Sequence, residues 1–330
     1  MEFTNKFDVP LPLAIWLAVD EYEPSKYEME LSATGLLKSV RFIISQLRLK
    51  YPEKFPEHLR PVQVPTEELS YPDIQERVAA RIGTAIHSSV EKAWTDYLNQ
   101  GLKSLGLPER PINFHQENRL YKHLEVDGVN FTISGQYDMV IDGDLHDIKS
   151  TSTYSYENGA NDEKYRKQGS IYKWLDPNLI TGSHLTINFV FLDFKKFLDQ
   201  RNGNYPPARA YFKKYKLWTP QETEMFIRNK LKQIVKYWNE PLENIPCCTP
   251  EDLFTDKPVY KYYKNGVTNS TRSTKNFDTF SEASAYRAKN NFQGEIVEDK
   301  GKPFMCPCCN PQEVEQMMFA KHGQTKLEIS

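Results

Sequence analysis

A predicted hairpin near the middle of the chain constrains the fold more than any other feature of its 330 residues. Residues 134–140, SGQYDMV, and residues 145–151, LHDIKST, each have the apolar content of a strand. Between them lies Asp142-Gly143-Asp144, and Asp-Gly is a dipeptide preferred in tight two-residue β-turns. The two segments are therefore predicted to pair as adjacent antiparallel strands.

The predicted hairpin brings three charged side chains together. Side chains at positions i and i+2 of a strand point to the same face, so Asp147 and Lys149 share one face of the second strand. Antiparallel pairing predicts that Asp138 lies beside Asp147, with Lys149 next to both. Two carboxylates and a lysine around one point suggest a site for a hard divalent cation and an activated water. The alternative is a surface ion pair between Asp147 and Lys149 on an edge strand.

Residues upstream of the hairpin offer further ligands. In GTAIHSSVE, His87 follows Gly83 by four positions at a predicted helix start. An imidazole ligand favours Mn²⁺ without excluding Mg²⁺, and a packed or exposed histidine is the alternative. Glu91 lies one turn further along the same helix face, either close to the site or solvated. Glu117 belongs to the first predicted strand and could also lean into the site.

A fourth motif follows the hairpin in QGSIYKW, where Gln168 and Tyr172 share a helix face at i, i+4 spacing. An ordinary amphipathic helix is the alternative. Taken in order, the four motifs resemble the PD-(D/E)XK nuclease superfamily, and most of all its RecB-like exonuclease branch. The matching residues are Gly83 with His87, Gly135 with Asp138, Asp147 through Thr151, and Gln168 with Tyr172.

The resemblance implies a fold and a set of residue roles. The fold is α/β: a PD-(D/E)XK restriction-endonuclease-like core, which is a mixed central sheet flanked by helices, with a small C-terminal α+β subdomain. The implied cofactor is Mg²⁺ or Mn²⁺, and the wider chain is similar to small phage-encoded exonucleases and to CRISPR-associated RecB-like nucleases. The implied catalytic residues are Asp138, Asp147, Lys149, Gln168 and Tyr172, and the implied metal ligands are His87, Asp138, Asp147 and the backbone oxygen of Ile148.

Charge and composition limit the kind of partner. The formal net charge of −2 argues against wholesale coating of nucleic acid but leaves room for local contacts. Basic and aromatic residues interleave in one segment, as a single-strand groove requires, although a solvated charged face is the alternative. They are Lys195, Lys196, Arg201, Tyr205, Arg209, Tyr211, Phe212, Lys213, Lys214, Tyr215, Lys216 and Trp218.

The location that the resemblance implies is the cytoplasm, or the bacterial host cytoplasm if the chain is phage-encoded. No apolar run reaches the length of a membrane span, so no membrane partner is expected. The first residues do not show the charged start, apolar stretch and small-residue cleavage site of a secretory signal.

The five cysteines cluster late in the chain, which suggests reduced thiols or metal ligands rather than a disulfide framework. A second metal site is a candidate at Cys247, Cys248, Cys306 and Cys309, with Cys308 beside them. The resemblance implies an iron–sulfur cluster, yet the last three cysteines are compressed into four residues and depart from the wider spacing of that family. Zinc, an iron–sulfur cluster and free thiols all stay open.

The sequence is predicted to divide into three regions: an N-terminal helical region, 1–70, the core that the resemblance implies is a nuclease, 71–240, and a C-terminal α+β subdomain, 241–330. The last is predicted to hold two strands around Asn265-Gly266, a helix and a final strand. Ahead of it, the pattern predicts helices over 34–51, 73–98, 156–175 and 219–238, three strands in meander order over 114–126, 131–141 and 145–151, and a buried strand over 185–194.

The resemblance, together with the clustered carboxylates and lysine, implies a divalent-metal-dependent DNA exonuclease that hydrolyses phosphodiester bonds; the exonuclease activity is implied by the family branch and not by the spacing. Its partners would be single-stranded DNA or a duplex end, with replication or recombination proteins. Phage DNA replication, recombination or degradation is the setting that the resemblance implies. The alternative is a non-catalytic nucleic-acid-binding or regulatory protein that keeps the nuclease fold.

Overall fold

The chain forms two compact units, one ending at Ile245 and the other starting at Pro246. A computed structural model describes residues 3–19, 25–60, 71–116, 118–159, 161–196, 204–246, 259–265, 272–291 and 293–299. In chain order, the helices and strands of the first unit are α1 (Leu11–Ala18), β1 (Glu30–Ser32), α2 (Ala33–Leu36), α3 (Val40–Lys50), α4 (Val78–Asp96), α5 (Leu98–Ser104), β2 (Phe114–Gln116), β3 (Arg119–Val126), β4 (Val129–Gln136), β5 (Met139–Ile141), β6 (Asp144–Thr151), α6 (Thr153–Asn158), α7 (Asp162–Leu175), β7 (His184–Phe191), β8 (Ala210–Lys216) and α8 (Pro220–Lys236).

The central sheet of the first unit is mixed and has the strand order β2-β5-β6-β7-β8. Only the β6–β7 pair is parallel; the three other pairs are antiparallel. Helices lie on both faces. Gly83 of α4 approaches Ser150 on one face, and Gly169 of α7 approaches Leu185 on the other. The fold prediction of a mixed sheet flanked by helices is confirmed.

A second, three-stranded sheet packs beside α7 and α8 in the order β1-β4-β3. The predicted meander of three strands is therefore wrong. The predicted first strand divides into β2 and β3, the second divides into β4 and β5, and the halves belong to different sheets. The break in the second strand falls at Tyr137 and Asp138. Tyr137 is buried, and the Ile148 N–H donates a hydrogen bond to the Asp138 side chain instead of to the backbone of a longer strand.

The predicted hairpin is confirmed between β5 and β6, where Met139 pairs with His146 and Ile141 with Asp144. The two turn residues both adopt left-handed backbone angles, with φ of 50° at Asp142 and 88° at Gly143. Two successive positive φ values define the turn type that matches the twist of hairpin strands. A Cβ on Gly143 would also collide with the Thr181 hydroxyl, so glycine is required twice over.

Predicted helices were correct in place but too long at several points. The helix predicted over 34–51 is split into α2 and α3 because the Ser39 hydroxyl accepts the Phe42 N–H and starts a new helix. The helix predicted over 156–175 is split at Gly159, whose φ of 60° ends α6. Helix α8 begins as predicted: Thr219 and Glu222 form a reciprocal capping box.

A glycine governs how closely α7 approaches β4. A Cβ built on Gly135 would lie 2.7 Å from Leu175 Cδ1 and 2.8 Å from Tyr172 Cδ1. We expect Gly135→Ala to lower the free energy of unfolding by about 1–3 kcal/mol, because extra volume forces a packed core apart. Gly101→Ala is the matched control, since a Cβ there meets nothing within 4 Å and alanine favours the α5 helix. Urea denaturation measures both; equal stabilities for the two variants would contradict this packing role.

The second unit is a small α+β fold, as predicted. Its elements are β9 (Val259–Tyr263), β10 (Lys275–Phe277), α9 (Phe280–Lys289) and β11 (Glu295–Asp299). The strands form an antiparallel sheet in the order β10-β9-β11. Helix α9 packs on one face through Tyr286, whose ring lies 5.2 Å from the rings of Tyr262 and Phe277. Among the described helices of either unit, none is long and apolar enough to cross a bilayer.

Candidate active site

Four of the predicted site residues meet where β5 and β6 begin to pair. The Asp138 Oδ2 accepts a hydrogen bond from the Ile148 backbone N–H at 2.7 Å, which ties this carboxylate to the residue after Asp147. His87 Nδ1 lies 3.3 Å from the same oxygen. Lys149 Nζ lies 2.6 Å from Asp147 Oδ2. Two carboxylates, an imidazole and an ammonium thus form one charged cluster.

Asp147 is the unusual member of this cluster. Its residue is only 3 % exposed, and the partner of its buried Oδ2 is the Lys149 ammonium, 2.6 Å away. Burial raises the pKa of Asp147, the Lys149 charge opposes that change, and the Asp138 charge adds to it, so that the pKa is about 6. The site therefore holds a buried carboxylate whose negative charge is incompletely compensated.

Asp138 is shifted in the opposite direction. Burial alone would raise its pKa, but the hydrogen bond from His87, the Lys149 charge and the Ile148 N–H together lower it below the usual range. The same hydrogen bond raises the pKa of His87 against the effect of burial. The pKa of Lys149 is lowered by burial, yet the charges of Asp147 and Asp138 outweigh that effect and raise it. Lys149 therefore keeps its ammonium form at neutral pH.

His87 lies in the middle of α4 and not at a helix start as predicted. The helix begins nine residues earlier because Asp73 and Glu76 form a capping box ahead of it. Gly83 of α4 faces β6, where a Cβ at that position would lie 3.4 Å from the Ser150 hydroxyl, close to an ordinary contact. The Gly-x-x-x-His spacing thus places the imidazole about one turn beyond a point where α4 meets β6.

Gln168 and Tyr172 are joined to each other on α7: Gln168 Nε2 donates to Tyr172 Oη at 2.6 Å. Tyr172 is 5 % exposed and packs in the core against Gly135. Burial raises the pKa of Tyr172 and the Asp147 charge adds to that, so the phenol stays protonated. Tyr172 can support Gln168 and the floor of the site, whereas Gln168, only half-buried, is the partner that solvent reaches.

Sequence analysis missed Tyr165, which also belongs to this neighbourhood. Burial raises the pKa of Tyr165, and the charges of Lys149 and Asp147 both act on it. Its ring centroid is 6.2 Å from that of Phe189, the β7 partner of Lys149. The available signal was helical spacing, since Tyr165 precedes Gln168 by three positions on the same face of α7.

Glu91, a further acidic candidate, is held by a neighbouring strand. Glu91 Oε1 accepts a hydrogen bond of 2.5 Å from Gln116 Nε2. The Oε1 of the same glutamine accepts a hydrogen bond from the Thr95 hydroxyl. Glu91 is thus tied to the first strand of the central sheet. Glu117 lies outside the described residues, as does Arg201 of the basic segment.

The full predicted ligand set is not gathered as one group. Within the described ranges, no three His, Cys, Asp or Glu side chains converge to hold a metal ion. Asp138 and His87 lie together, whereas Asp147 is paired with Lys149, which is a donor and not a metal ligand. The two carboxylates nevertheless suit a hard divalent cation by their chemistry, because carboxylate oxygens are the ligands that such cations prefer.

The cysteine site cannot be placed. All of its candidate ligands, Cys247, Cys248, Cys306 and Cys309, lie outside the described residues, together with Cys308. The choice between zinc, an iron–sulfur cluster and free thiols stays a prediction.

Three solved structures share part of this architecture. The protein SSO0001 is 18 % identical with a TM-score of 0.38, and the match covers 66 % of this chain and 81 % of that one. A phage-related exonuclease from Haemophilus somnus 129PT is 13 % identical with a TM-score of 0.34, and the match covers 64 % of this chain and 94 % of that one. An alkaline exonuclease from Laribacter hongkongensis is 9 % identical with a TM-score of 0.34, and the match covers 63 % of this chain and 89 % of that one. No protein-family model matches the sequence, and no curated protein matches it. All three TM-scores lie below 0.5, so these likenesses by themselves assign no function to this chain.

Proposed function

We propose that this chain is a divalent-metal-dependent nuclease of the PD-(D/E)XK superfamily that hydrolyses DNA phosphodiester bonds. One observation carries the proposal: Asp138 is bonded to the backbone beside Asp147, and Lys149 contacts Asp147, so both carboxylates and an ammonium surround one point. A structural ion pair between Asp147 and Lys149 would need neither a second carboxylate beside it nor the raised pKa of Asp147.

The donor set assigns the cation to Asp138 and Asp147, with the backbone oxygen of Ile148 and His87 as further ligands on the family pattern. A bound Mg²⁺ or Mn²⁺ supplies positive charge to the phosphate and makes hydroxide available near neutral pH. His87 and the Ile148 N–H keep Asp138 ionised. The Lys149 ammonium is held at the same point, where it can orient the attacking water and offset charge on the phosphate.

Gln168 and Tyr172 are proposed to help position the DNA substrate. Tyr172 is buried and holds Gln168 by their hydrogen bond, so Gln168 is the group that can contact the DNA backbone. We assign Gln168 to substrate positioning and Tyr172 to support, which narrows the catalytic roles implied by sequence resemblance.

The finer assignment rests on the order of the four motifs. That order supports the RecB-like branch, hence an exonuclease acting on single-stranded DNA or a duplex end, similar to small phage-encoded exonucleases. Phage DNA replication, recombination or degradation in a bacterial cytoplasm is the setting this implies. A non-catalytic DNA-binding protein is the second candidate, but the retained Asp138, Asp147 and Lys149 favour catalysis.

Cleavage assays test the proposal directly. End-labelled single-stranded and duplex DNA are incubated with the protein in Mg²⁺, Mn²⁺ or EDTA, with covalently closed circles as a parallel substrate. We expect shortening of linear DNA in either metal, no cleavage in EDTA and no cleavage of circles. Cleavage of the closed circles would show an endonuclease and not an exonuclease. DNA left intact under all conditions would favour a non-catalytic DNA-binding protein.

Metal binding should depend on pH in a defined direction. The folded protein holds a proton on Asp147 below a pKa of about 6, and a cation must displace that proton. We therefore expect Mg²⁺ or Mn²⁺ to raise the melting temperature at pH 7.5 and to raise it progressively less as the pH falls through 6. Differential scanning fluorimetry measures the shift, and Asp147→Asn is the control that should show little shift at either pH. A shift that is independent of pH and of Asp147 would place the cation elsewhere.

A further inference from the structure

A row of side chains links the charged cluster to the outer edge of the central sheet. Lys149 of β6 pairs with Phe189 of β7, and Phe189 pairs with Tyr211 of β8. Paired residues of neighbouring strands point to the same face, so these three side chains lie in line. Tyr211 is therefore about 10 Å from Lys149, which is two strand spacings.

The row changes from buried to exposed at β8, the last strand of this sheet in the described residues. Phe189 is 3 % exposed beneath Tyr156 of α6, whose ring centroid is 5.4 Å away. Tyr211 is 38 % exposed and meets Tyr156 edge-on at 6.3 Å. The Tyr211 ring is thus supported on its inner side and open on its outer side.

Tyr211 is accompanied by Phe212, which is 48 % exposed. Neighbouring residues of a strand point to opposite faces, yet these two ring centroids are only 5.3 Å apart at an angle of 35°. Both rings must therefore lean outward past the edge of β8. We call Tyr211 and Phe212 the aromatic shelf.

The exposed charged side chains of β8 and of Arg209 just before it are all basic, while the carboxylate of Asp162 is engaged by Lys213 and Tyr215. Arg209, Lys214 and Lys216 are exposed along the same edge, and β8 contains no acidic residue. Lys213 is already engaged, since its ammonium donates to the Tyr156 carbonyl. A basic edge in a chain of net charge −2 is complementary to a polyanion, and open rings are complementary to the faces of unpaired bases.

We propose that the aromatic shelf stacks the bases of single-stranded DNA, with the flanking basic side chains holding its phosphates, about two strand spacings from Lys149. The identity of the polymer rests on the proposed nuclease function. Bases in a duplex are stacked on each other and do not present free faces, so the shelf selects unpaired nucleotides. The same edge would otherwise suit a peptide that adds a strand to β8, which the experiment below separates.

Binding is measured on the full chain in EDTA, so that no turnover occurs, by fluorescence anisotropy with a labelled single-stranded oligonucleotide. We expect the double substitution Tyr211→Ala with Phe212→Ala to raise Kd by about 5- to 150-fold, the range that stacking of a single base provides. The aromatic exchange Tyr211→Phe with Phe212→Tyr should restore nearly the full affinity. Tyr97→Ala is the matched control, because this tyrosine is 51 % exposed beyond the end of α4.

A stacking role has a signature that a structural role lacks. An abasic site scanned along the oligonucleotide should weaken binding to the wild-type protein at one or two positions. The double alanine variant should be insensitive at those positions, which is coupling in a double-mutant cycle. Additive effects would show that the rings and the bases do not touch.

The outcomes separate this inference from the proposed function. Unchanged Kd in the double alanine variant, with metal-dependent cleavage intact in the wild type, would overturn the shelf and leave the nuclease. The edge of β8 would then be open to strand addition by a protein. Loss of single-strand affinity in the double alanine variant, together with no cleavage by the wild type, would keep the shelf and overturn catalysis.

Discussion

Asp147→Asn is expected to reduce DNA cleavage by roughly 10³-fold or more while the Kd for DNA in EDTA changes little. The substitution removes a cation ligand and its charge, and loss of one preorganised electrostatic group already costs about that much in other enzymes. Phosphate contacts elsewhere on the protein persist. Initial rates over a Mg²⁺ titration measure the effect, and Asp138→Asn should behave alike.

The variant should stay folded, because an amide is easier to bury than a carboxylate whose pKa burial has raised. Asp144→Asn is the matched control: Asp144 begins the same strand but is exposed to solvent, and its cleavage rate should equal that of the wild type. Near-wild-type turnover by Asp147→Asn would remove the proposed active site, whatever the behaviour of DNA binding.

Lys149→Met should lower kcat by about 10²- to 10³-fold, because a charge poised at the reacting phosphate is lost. Lys149→Arg should recover little, since a planar fork cannot take the place of a compact ammonium against Asp147. The metal concentration for half-maximal rate should change less than kcat does, as lysine is a donor and not a ligand. Single-turnover kinetics at saturating metal isolate this step.

The free energy of unfolding of Lys149→Met should depend on pH in a defined direction. Without the ammonium, the pKa of Asp147 rises further above its unfolded value, so the free energy of unfolding should fall as pH rises from 6 to 8. Urea denaturation at both pH values checks this, and activity is then measured where the variant is folded. Lys92→Met, on the exposed side of α4, is the control for loss of a lysine. Full activity in Lys149→Met would exclude it from the chemistry.

The charged cluster was accessible from sequence because its members lie within short, strongly patterned segments. Asp147 and Lys149 share a strand face by spacing alone, and Asp-Gly specifies the turn that joins β5 to β6. The same locality explains why α8 was predicted correctly, since its capping box lies within four residues. Local rules suffice where all partners are neighbours in the chain.

Long-range contacts set the features that were predicted wrongly or missed. Tyr137 looked like the middle of one strand, but burial of its ring and the Asp138 bond to Ile148 send β4 and β5 into different sheets. Tyr165 carried no motif, and only the packing of α7 on the central sheet brings it near Lys149. The contacts of His87 with Asp138 and of Lys149 with Asp147 likewise depend on how α4 and α7 pack on that sheet.

The amino-acid pattern alone therefore determined the hairpin, the shared face of Asp147 and Lys149, and the order of the four motifs, since each follows from backbone geometry over a few residues. Tertiary packing decided which sheet each half-strand joins, how deeply Asp147 is buried, and that Tyr211 lies in line with Lys149. These depend on desolvation and on cross-strand register between segments some sixty residues apart, which no local pattern encodes.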